Sequence, residues 1–554
     1  MKKFITPFIF FVIFIALQCI WLKKDSTPFL WDEGTHYMMS IRASFFIEHP
    51  ISIINYKENI RDYFNRIESK IRYAKIPLKI LLYVPCMILA LVYGGAAPIY
   101  PPFYYIVMGF IIRFLPSNVS TDIIVLSGDI VFGLVLTLGV FYLTYIETHD
   151  AILSGLSVGL VFSIPIIAGQ SRVTMLDFPM TAVYIGSLAL LYENSIRATN
   201  KKSIISGICL AVGSLLKQTF IIFISGPLVV MFFLFHKDKF RRSLFFRMII
   251  IWVSLISPWY IVYGSRELIT FIHHGISGGI EGDPVWTTLS GLLFYPVTFF
   301  SIQVLPIYTL LFIILLIPGL LGCEYIARRF FISTFVISYI FFTLLSNKDP
   351  RYTMALLVFI PFIIVVGINK LIRDISYKRM IASIIFCVLF LQMLDISFGV
   401  SRIKDKIFST RFGIIHTYYR SGYAKPVNIG KIKLNLTPSE VLRYVPESRD
   451  ATLVYLFDDP YIITPFLTNH FIELKKRRYL PPYQRIEFIP GFEELSAIEK
   501  SDFILLKDGG YQGPSFRQHQ FYKVNNILNV VKPRFQVVMV WSAADGVVKL
   551  LKRR

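Results

Sequence analysis

FITPFIFFVIFIALQCIWL, residues 4–22, is a predominantly apolar run long enough to cross a bilayer as one helix, and Trp31-Asp32-Glu33-Gly34-Thr35-His36-Tyr37 follows it. Two adjacent carboxylates therefore stand where the chain leaves the membrane. Ionisable groups at such a boundary are costly to hold and point to function. Met1-Lys2-Lys3 ahead of the run resembles the start of a signal peptide, but no small-residue cleavage site follows Cys19-Ile20-Trp21-Leu22, so the run reads as a retained first helix.

The rest of the 554 residues has the same character. They are 55% hydrophobic and only 17% charged, which excludes a soluble multi-domain protein and indicates a polytopic α-helical membrane protein. Hydropathy marks segments near residues 4–22, 79–95, 101–116, 121–145, 151–168, 178–195, 203–217, 219–235, 245–263, 304–322, 330–345, 352–372 and 379–399, giving roughly 11–13 transmembrane helices. The net charge of +22 is not gathered on one aromatic-studded face, which argues against nucleic acid. It clusters at span ends: Lys2 and Lys3, Lys201 and Lys202, residues 236–242, Arg328 and Arg329, and Arg373 with Lys378 and Arg379. These mark cytoplasmic ends and a cytoplasmic N-terminus.

Alternation then puts residues 23–78, 170–179, 263–288 and 346–352 on the outer, periplasmic or extracellular, side of the cell membrane, with the C-terminal region following them. Parity is weakest at residues 79–116, where the 79–95 run can lie in the interface as an amphipathic or re-entrant piece; parity then requires one later segment also to fail to cross. From about residue 401 the apolar runs shorten to strand length, as in Ala451-Thr452-Leu453-Val454-Tyr455-Leu456 and Asp502-Phe503-Ile504-Leu505-Leu506. Residues 535–541 and 547–551, separated by Ala544-Asp545-Gly546, form a hairpin pattern. Residues 1–400 and 401–554 thus divide into a membrane domain and a small outer α/β domain. The latter holds 25 Lys and Arg against 14 Asp and Glu and suits an anionic membrane surface. The five cysteines lie in apolar runs, leaving no disulfide framework or cysteine-based metal site.

The polar motifs fall on that outer side, the uncertain 79–116 stretch apart. Asp32-Glu33 can complement the dipole of a helix through residues 35–46, and a carboxylate there can also take a proton from an acceptor hydroxyl. Tyr100-Pro101-Pro102-Phe103-Tyr104-Tyr105 combines helix-starting prolines with an interfacial aromatic belt. Arg172 and Asp177 stand in the second outer loop, either as site residues or as an ion pair pinning it. Lys217 lies between two apolar segments, where a snorkelling lysine is the simple reading. Lys348-Asp349-Pro350-Arg351-Tyr352 puts two cations against the positive-inside bias. They call for an anion, phosphate or Asp349 itself. His273-His274 lies in a stretch read as a Gly-rich loop, and no third ligand completes a metal site.

Taken in order, Asp32-Glu33, Pro101-Pro102-Phe103-Tyr104-Tyr105, Arg172 with Asp177-Phe178-Pro179, Lys217, Pro258-Trp259-Tyr260 and Lys348-Asp349-Pro350-Arg351-Tyr352 resemble GT-C superfamily glycosyltransferases. The likeness, over roughly residues 1–400, is to the group of protein O-mannosyltransferases and lipid A aminoarabinose transferases. It implies inverting transfer of a sugar from a polyprenyl-phosphate donor to a lipid, glycan or protein acceptor at the outer face. By that resemblance Asp32, Glu33 and Asp177 are catalytic, and Lys217, Lys348 and Arg351 bind the donor phosphate. Arg172, Tyr104, Tyr105 and Tyr352 support them. Some relatives use a divalent metal and others do not, so the cofactor is left open. The alternative is a transporter or flippase of lipid-linked glycans. Such proteins usually carry internal repeats and midplane charge, neither of which this chain displays.

Overall fold

The computed structural model describes residues 5–25, 32–48, 100–116, 119–281, 283–400, 407–410, 413–416, 422–425, 451–455, 486–490, 501–508, 534–543 and 546–554. The expected segment at 79–95 lies outside them, as do Phe457, Tyr461 and the basic run 475–478, a combination of aromatic and basic residues that suggests a contact surface of the C-terminal region.

The described N-terminal half is helical: α1 Ile5–Lys24, α2 Asp32–Glu48, α3 Phe103–Phe114, α4 Thr121–Thr148, α5 Ala151–Phe162, α6 Pro165–Gln170, α7 Asp177–Ile196, α8 Asn200–Ser214, α9 Phe220–Phe235 and α10 Lys239–Glu281. Two short helices, α11 Leu289–Leu292 and α12 Phe294–Thr298, precede α13 Leu305–Gly322, α14 Tyr325–Leu344, α15 Phe359–Leu371 and α16 Ile375–Phe398. A 3-10 segment, Pro350–Val358, leads into α15. Seven stretches are long and apolar enough to span a bilayer: Ile5–Lys24, Thr121–Thr148, Lys239–Ile261, Leu305–Gly322, Tyr325–Leu344, Pro350–Leu371 and Ile375–Phe398. The protein is an integral membrane protein. Apolar side chains such as Ile313, Ile314, Ile317 and Leu321 on α13 face outward, as lipid contact requires.

Helix ends follow local chemistry. Asp150 caps α5, accepting from the Ile152 and Leu153 amides at 2.8 and 3.3 Å, and it also pairs with Arg379 at 3.1 Å. Asp374 caps α16, which stops at Gly399 in the left-handed region with φ of 66°. Pro165 breaks the expected span at 151–168 into α5 and α6, since it cannot donate the helical bond that a continuous helix needs.

Contacts sort the helix ends into two sets. At one end Glu147 accepts from the Glu324 amide and the Tyr192 hydroxyl, Arg379 meets Asp150, and Arg247 meets Asn200. This end carries Lys201, Lys202, Arg328, Arg329 and residues 236–242. The opposite end gathers the described parts of the polar stretches expected outside. Helices α5 with α6, α7, α8 and α9 run between the two ends although each is short or interrupted. With the seven long ones they make eleven traverses among the described residues.

Two expectations are corrected. The 101–116 segment does not cross. Helix α3 has 12 residues, about 18 Å at 1.5 Å per residue. Its Phe103 amide bonds the Leu215 carbonyl at 2.8 Å, at the same end where Tyr37 of α2 hydrogen-bonds Thr121 at the start of α4. Helices α2 and α3 therefore lie together at that end. The second correction concerns residues 263–288, which are helical to Glu281 and not a Gly-rich loop. Helix α10 absorbs Pro258, and no further proline interrupts it before Pro284.

Beyond α16 the described elements are strands and one 3-10 turn, Gly422–Ala424. β1 Ile407–Thr410 pairs antiparallel with β2 Gly413–His416. A five-stranded sheet has the order β4-β3-β5-β7-β6, from β3 Ala451–Tyr455, β4 Ile486–Pro490, β5 Phe503–Asp508, β6 Phe535–Ala543 and β7 Gly546–Arg553. The expected strands at 451–456 and 502–506 pair parallel with each other, and the expected hairpin closes the sheet antiparallel.

Candidate active site

Asp32 and Glu33 form the first turn of α2, where the helix dipole favours negative charge. Glu33 is buried; its main-chain carbonyl accepts from Thr174 Oγ1 at 2.6 Å, and its carboxylate is paired with the Lys425 ammonium. One turn on, buried His36 shares a 2.8 Å hydrogen bond through Nδ1 with the Tyr105 hydroxyl and packs against the rings of Tyr100 and Tyr104. The aromatic motif and the acidic motif are thus one surface.

Asp177 opens α7, and its Oδ1 meets Lys217 Nζ at 2.5 Å in a buried ion pair. The turn between α8 and α9 supplies the lysine. The same ammonium lies 5.8 Å from the centre of the Tyr352 ring. Tyr352 in turn donates to Asn347 at 2.9 Å. Removing either member of such a buried pair would strand the other's charge, typically at about 3–5 kcal/mol.

Arg351 clamps Asp349 with Nε at 2.9 and 3.1 Å and Nη2 at 2.6 Å, and its Nη1 reaches Met175 Sδ at 3.8 Å. The 346–352 and 170–179 stretches therefore touch. Lys348 is buried, and its ammonium donates to the carbonyls of Phe342, at 3.0 Å, and Thr343 at the end of α14. A cation there complements the helix C-terminus. Its amide donates to Asp283 at 2.9 Å. Burial pushes the Lys348 ammonium down to about 8, with Asp283 opposing the shift.

Arg172 and Asp177 do not pair with each other. Arg172 is fully buried and uses its fork elsewhere: Nε to Gln18 at 3.0 Å, Nη2 to Ser397 at 2.8 Å, and Nη1 to the carbonyls of Ala424 and Lys425 at 3.2 and 3.0 Å. Its guanidinium also lies 5.1 Å from the Trp21 ring. It joins α1, α16 and the 422–425 turn behind the site and does not line it.

The structure thus brings Glu33, Asp177, Lys217, Lys348, Arg351, Tyr104, Tyr105 and Tyr352 to one end of the bundle, with the Asp32 backbone beside them. Sequence reasoning missed His36, Asp283 and Lys425. It also missed Asp129, a carboxylate in α4 that lines a small cavity of about 10 Å³ with Tyr104, Met108, Thr174 and Phe178. One Asp129 oxygen has no hydrogen-bond partner among the described residues. A lone acid in an apolar span is itself a legible signal. Among the described residues no three His, Cys, Asp or Glu side chains converge on a metal position.

No protein-family model matches the sequence, and no curated protein matches it. Solved structures do. ArnT from Cupriavidus metallidurans bound to undecaprenyl phosphate aligns over 97% of this chain and 97% of its own, with TM-score 0.53 at 12% identity. The same protein in the apo state aligns over the same shares at 12% identity with TM-score 0.50. This chain has the ArnT fold. At 12% identity that fold is shared through the path of the chain more than through its residues. The ArnT likeness extends past α16, so it covers the C-terminal strands as well.

Proposed function

We propose that this protein is an inverting GT-C glycosyltransferase that moves a sugar from a polyprenyl-phosphate carrier to a lipid, glycan or protein acceptor at the outer face of the membrane. Residues 1–400 form its catalytic membrane domain and residues 401–554 its outer domain. The observation that carries the reading is the convergence, at one end of an ArnT-like bundle, of an acidic helix start with the Asp177–Lys217 and Asp349–Arg351 pairs. The undecaprenyl phosphate held by the ArnT structure supports the choice of donor.

In this reading Asp32, with Glu33 beside it, accepts the proton of the attacking hydroxyl, and Asp177 orients Lys217. As the glycosidic bond breaks, negative charge grows on the departing phosphate. Lys217 and Arg351 face that charge, exchanging part of their carboxylate contacts for it, so the transition state gains more than the ground state. Lys348 adds a third cation, two of whose donors already serve α14. Tyr104, Tyr105 and Tyr352 wall the site.

Asp32→Asn tests the assignment. The variant should insert and melt like the parent, yet lose at least about a hundredfold in transfer, the scale of general-base catalysis. The readout is mass spectrometry of glycolipids and surface glycans from cells carrying parent, variant or no gene, which also identifies the sugar and acceptor. Undiminished product from Asp32→Asn would refute the role of this carboxylate.

A further inference from the structure

The turn Gly422–Ala424 and the residue after it are locked onto the membrane helices more firmly than a tethered outer segment needs. Gln170 Nε2 donates to the Tyr423 carbonyl at 3.2 Å, and Arg172 Nη1 to those of Ala424 and Lys425. Gly169, at the end of α6, makes room for the approach: a Cβ there would overlap the Tyr423 carbonyl oxygen and the Ala424 backbone. Lys425 has φ of 46°, a left-handed conformation that a non-glycine residue keeps only when its surroundings impose it. The outcome of this anchoring is an ammonium set against the Glu33 carboxylate from a residue almost four hundred positions away in the chain.

We infer that Lys425 is a positioning residue of the active site: the C-terminal region completes the site by fixing the Glu33 carboxylate beside Asp32, so catalysis depends on the docked turn. The inference rests on the glycosyltransferase reading above. Its physical basis is that Glu33 and Lys425 are both largely shielded from water, where a charge pair restrains orientation far more than at an exposed surface. Arg172 is then the clamp that holds the turn in register. Lys425 touches no reacting atom in this account and acts through Glu33.

A double-mutant cycle in the full-length protein separates this role from a merely structural one. The readout is the glycolipid or glycan product that disappears on deleting the gene, alongside native mass spectrometry of the purified protein with undecaprenyl phosphate. Lys425→Met should cut transfer about 10- to 100-fold, the usual effect of slight misplacement in a catalytic constellation, with carrier binding unchanged. Lys425→Arg should restore most of it. In a Glu33→Gln background Lys425→Met should cost little more, because the pair is already broken. Gly169→Ala, which pushes the turn away without touching either charge, should reproduce the Lys425→Met loss. Near-parental transfer by Lys425→Met, or losses that simply multiply in the double variant, would overturn the inference. If Asp32→Asn still abolishes transfer in that case, the enzymatic reading stands without it. Should Asp32→Asn also transfer normally, the role of Asp32 falls as well, and only the absence of any product that depends on the gene would overturn the enzymatic reading itself.

Discussion

Lys348 holds its charge at a cost, and the cost has a sign. Its ammonium sits near 8 when folded against 10.5 unperturbed, because burial disfavours the charged form more than Asp283 restores it. Below about 8 both folded and unfolded chains carry the proton. Between about 8 and 10.5 the unfolded chain binds more protons, so this residue makes stability rise with pH over that window. Function should move the other way, since deprotonation removes a cation from the proposed phosphate subsite. The expected result is a fall in kcat/KM for the polyprenyl-phosphate donor as pH passes about 8. Lys348→Arg should flatten that limb, because a guanidinium stays charged. A parental profile that stays level well above this pH would show that the Lys348 charge does not serve the donor. Lys348, Arg351, Lys217 and Asp177 were legible because charge at the span ends of an apolar chain is conspicuous. Lys425 was not, being one basic residue among 25 in a polar region, and Asp283 looked like ordinary loop polarity.

At the level of elements, close helix crossings replace the hydrophobic drive that lipid removes, and glycine permits them. A Cβ on Gly319 of α13 would lie 2.6 Å from the Ile363 carbonyl oxygen on α15, and one on Gly367 would lie 3.0 Å from the Leu315 carbonyl oxygen. Gly319→Val must part the two helices. The expected destabilisation is about 1–3 kcal/mol, the range for overpacking a tight contact, seen as a lower melting temperature in detergent. Gly319 lies toward the basic end, away from the polar cluster, so the folded fraction should still bind undecaprenyl phosphate. An unchanged melting temperature would mean that this crossing relaxes freely. Hydropathy located nearly every described helix, yet it could not tell crossing from lying flat. Residues 101–116 are apolar enough to look like a span, and the 12-residue length of α3 and the bond from Phe103 to Leu215 decide otherwise. Nor does hydropathy report the break at Pro165, which lets α6 and Gly169 meet the C-terminal turn.

For the whole molecule, the two ends of the bundle carry different chemistry, and this is what alternation with positive-inside charge anticipates. The end with Lys201, Lys202, Arg328 and Arg329 should face the cytosol, and the end with Glu33, Lys217, Lys348 and Lys425 should face outward. The carrier phosphate and the C-terminal strands then share one compartment, and a cytosolic nucleotide-sugar donor would meet the wrong face. Cysteine labelling tests this directly. The described native cysteines Cys19, Cys209, Cys323 and Cys387 are all free thiols, so they and Cys86 must first be replaced. Trp286→Cys then puts a thiol at an exposed position three residues from Asp283, and Lys201→Cys puts one at an exposed position on the basic end. A membrane-impermeant maleimide applied to intact cells should modify the first and spare the second until the membrane is opened. The reverse pattern would turn the site toward the cytosol, and with it would go the argument for a lipid-carried sugar, because nucleotide-linked donors are reachable there. Labelling of both in intact cells would mean that the two polar ends do not lie across a bilayer from each other, and the ArnT-like arrangement of helices would lose its membrane frame.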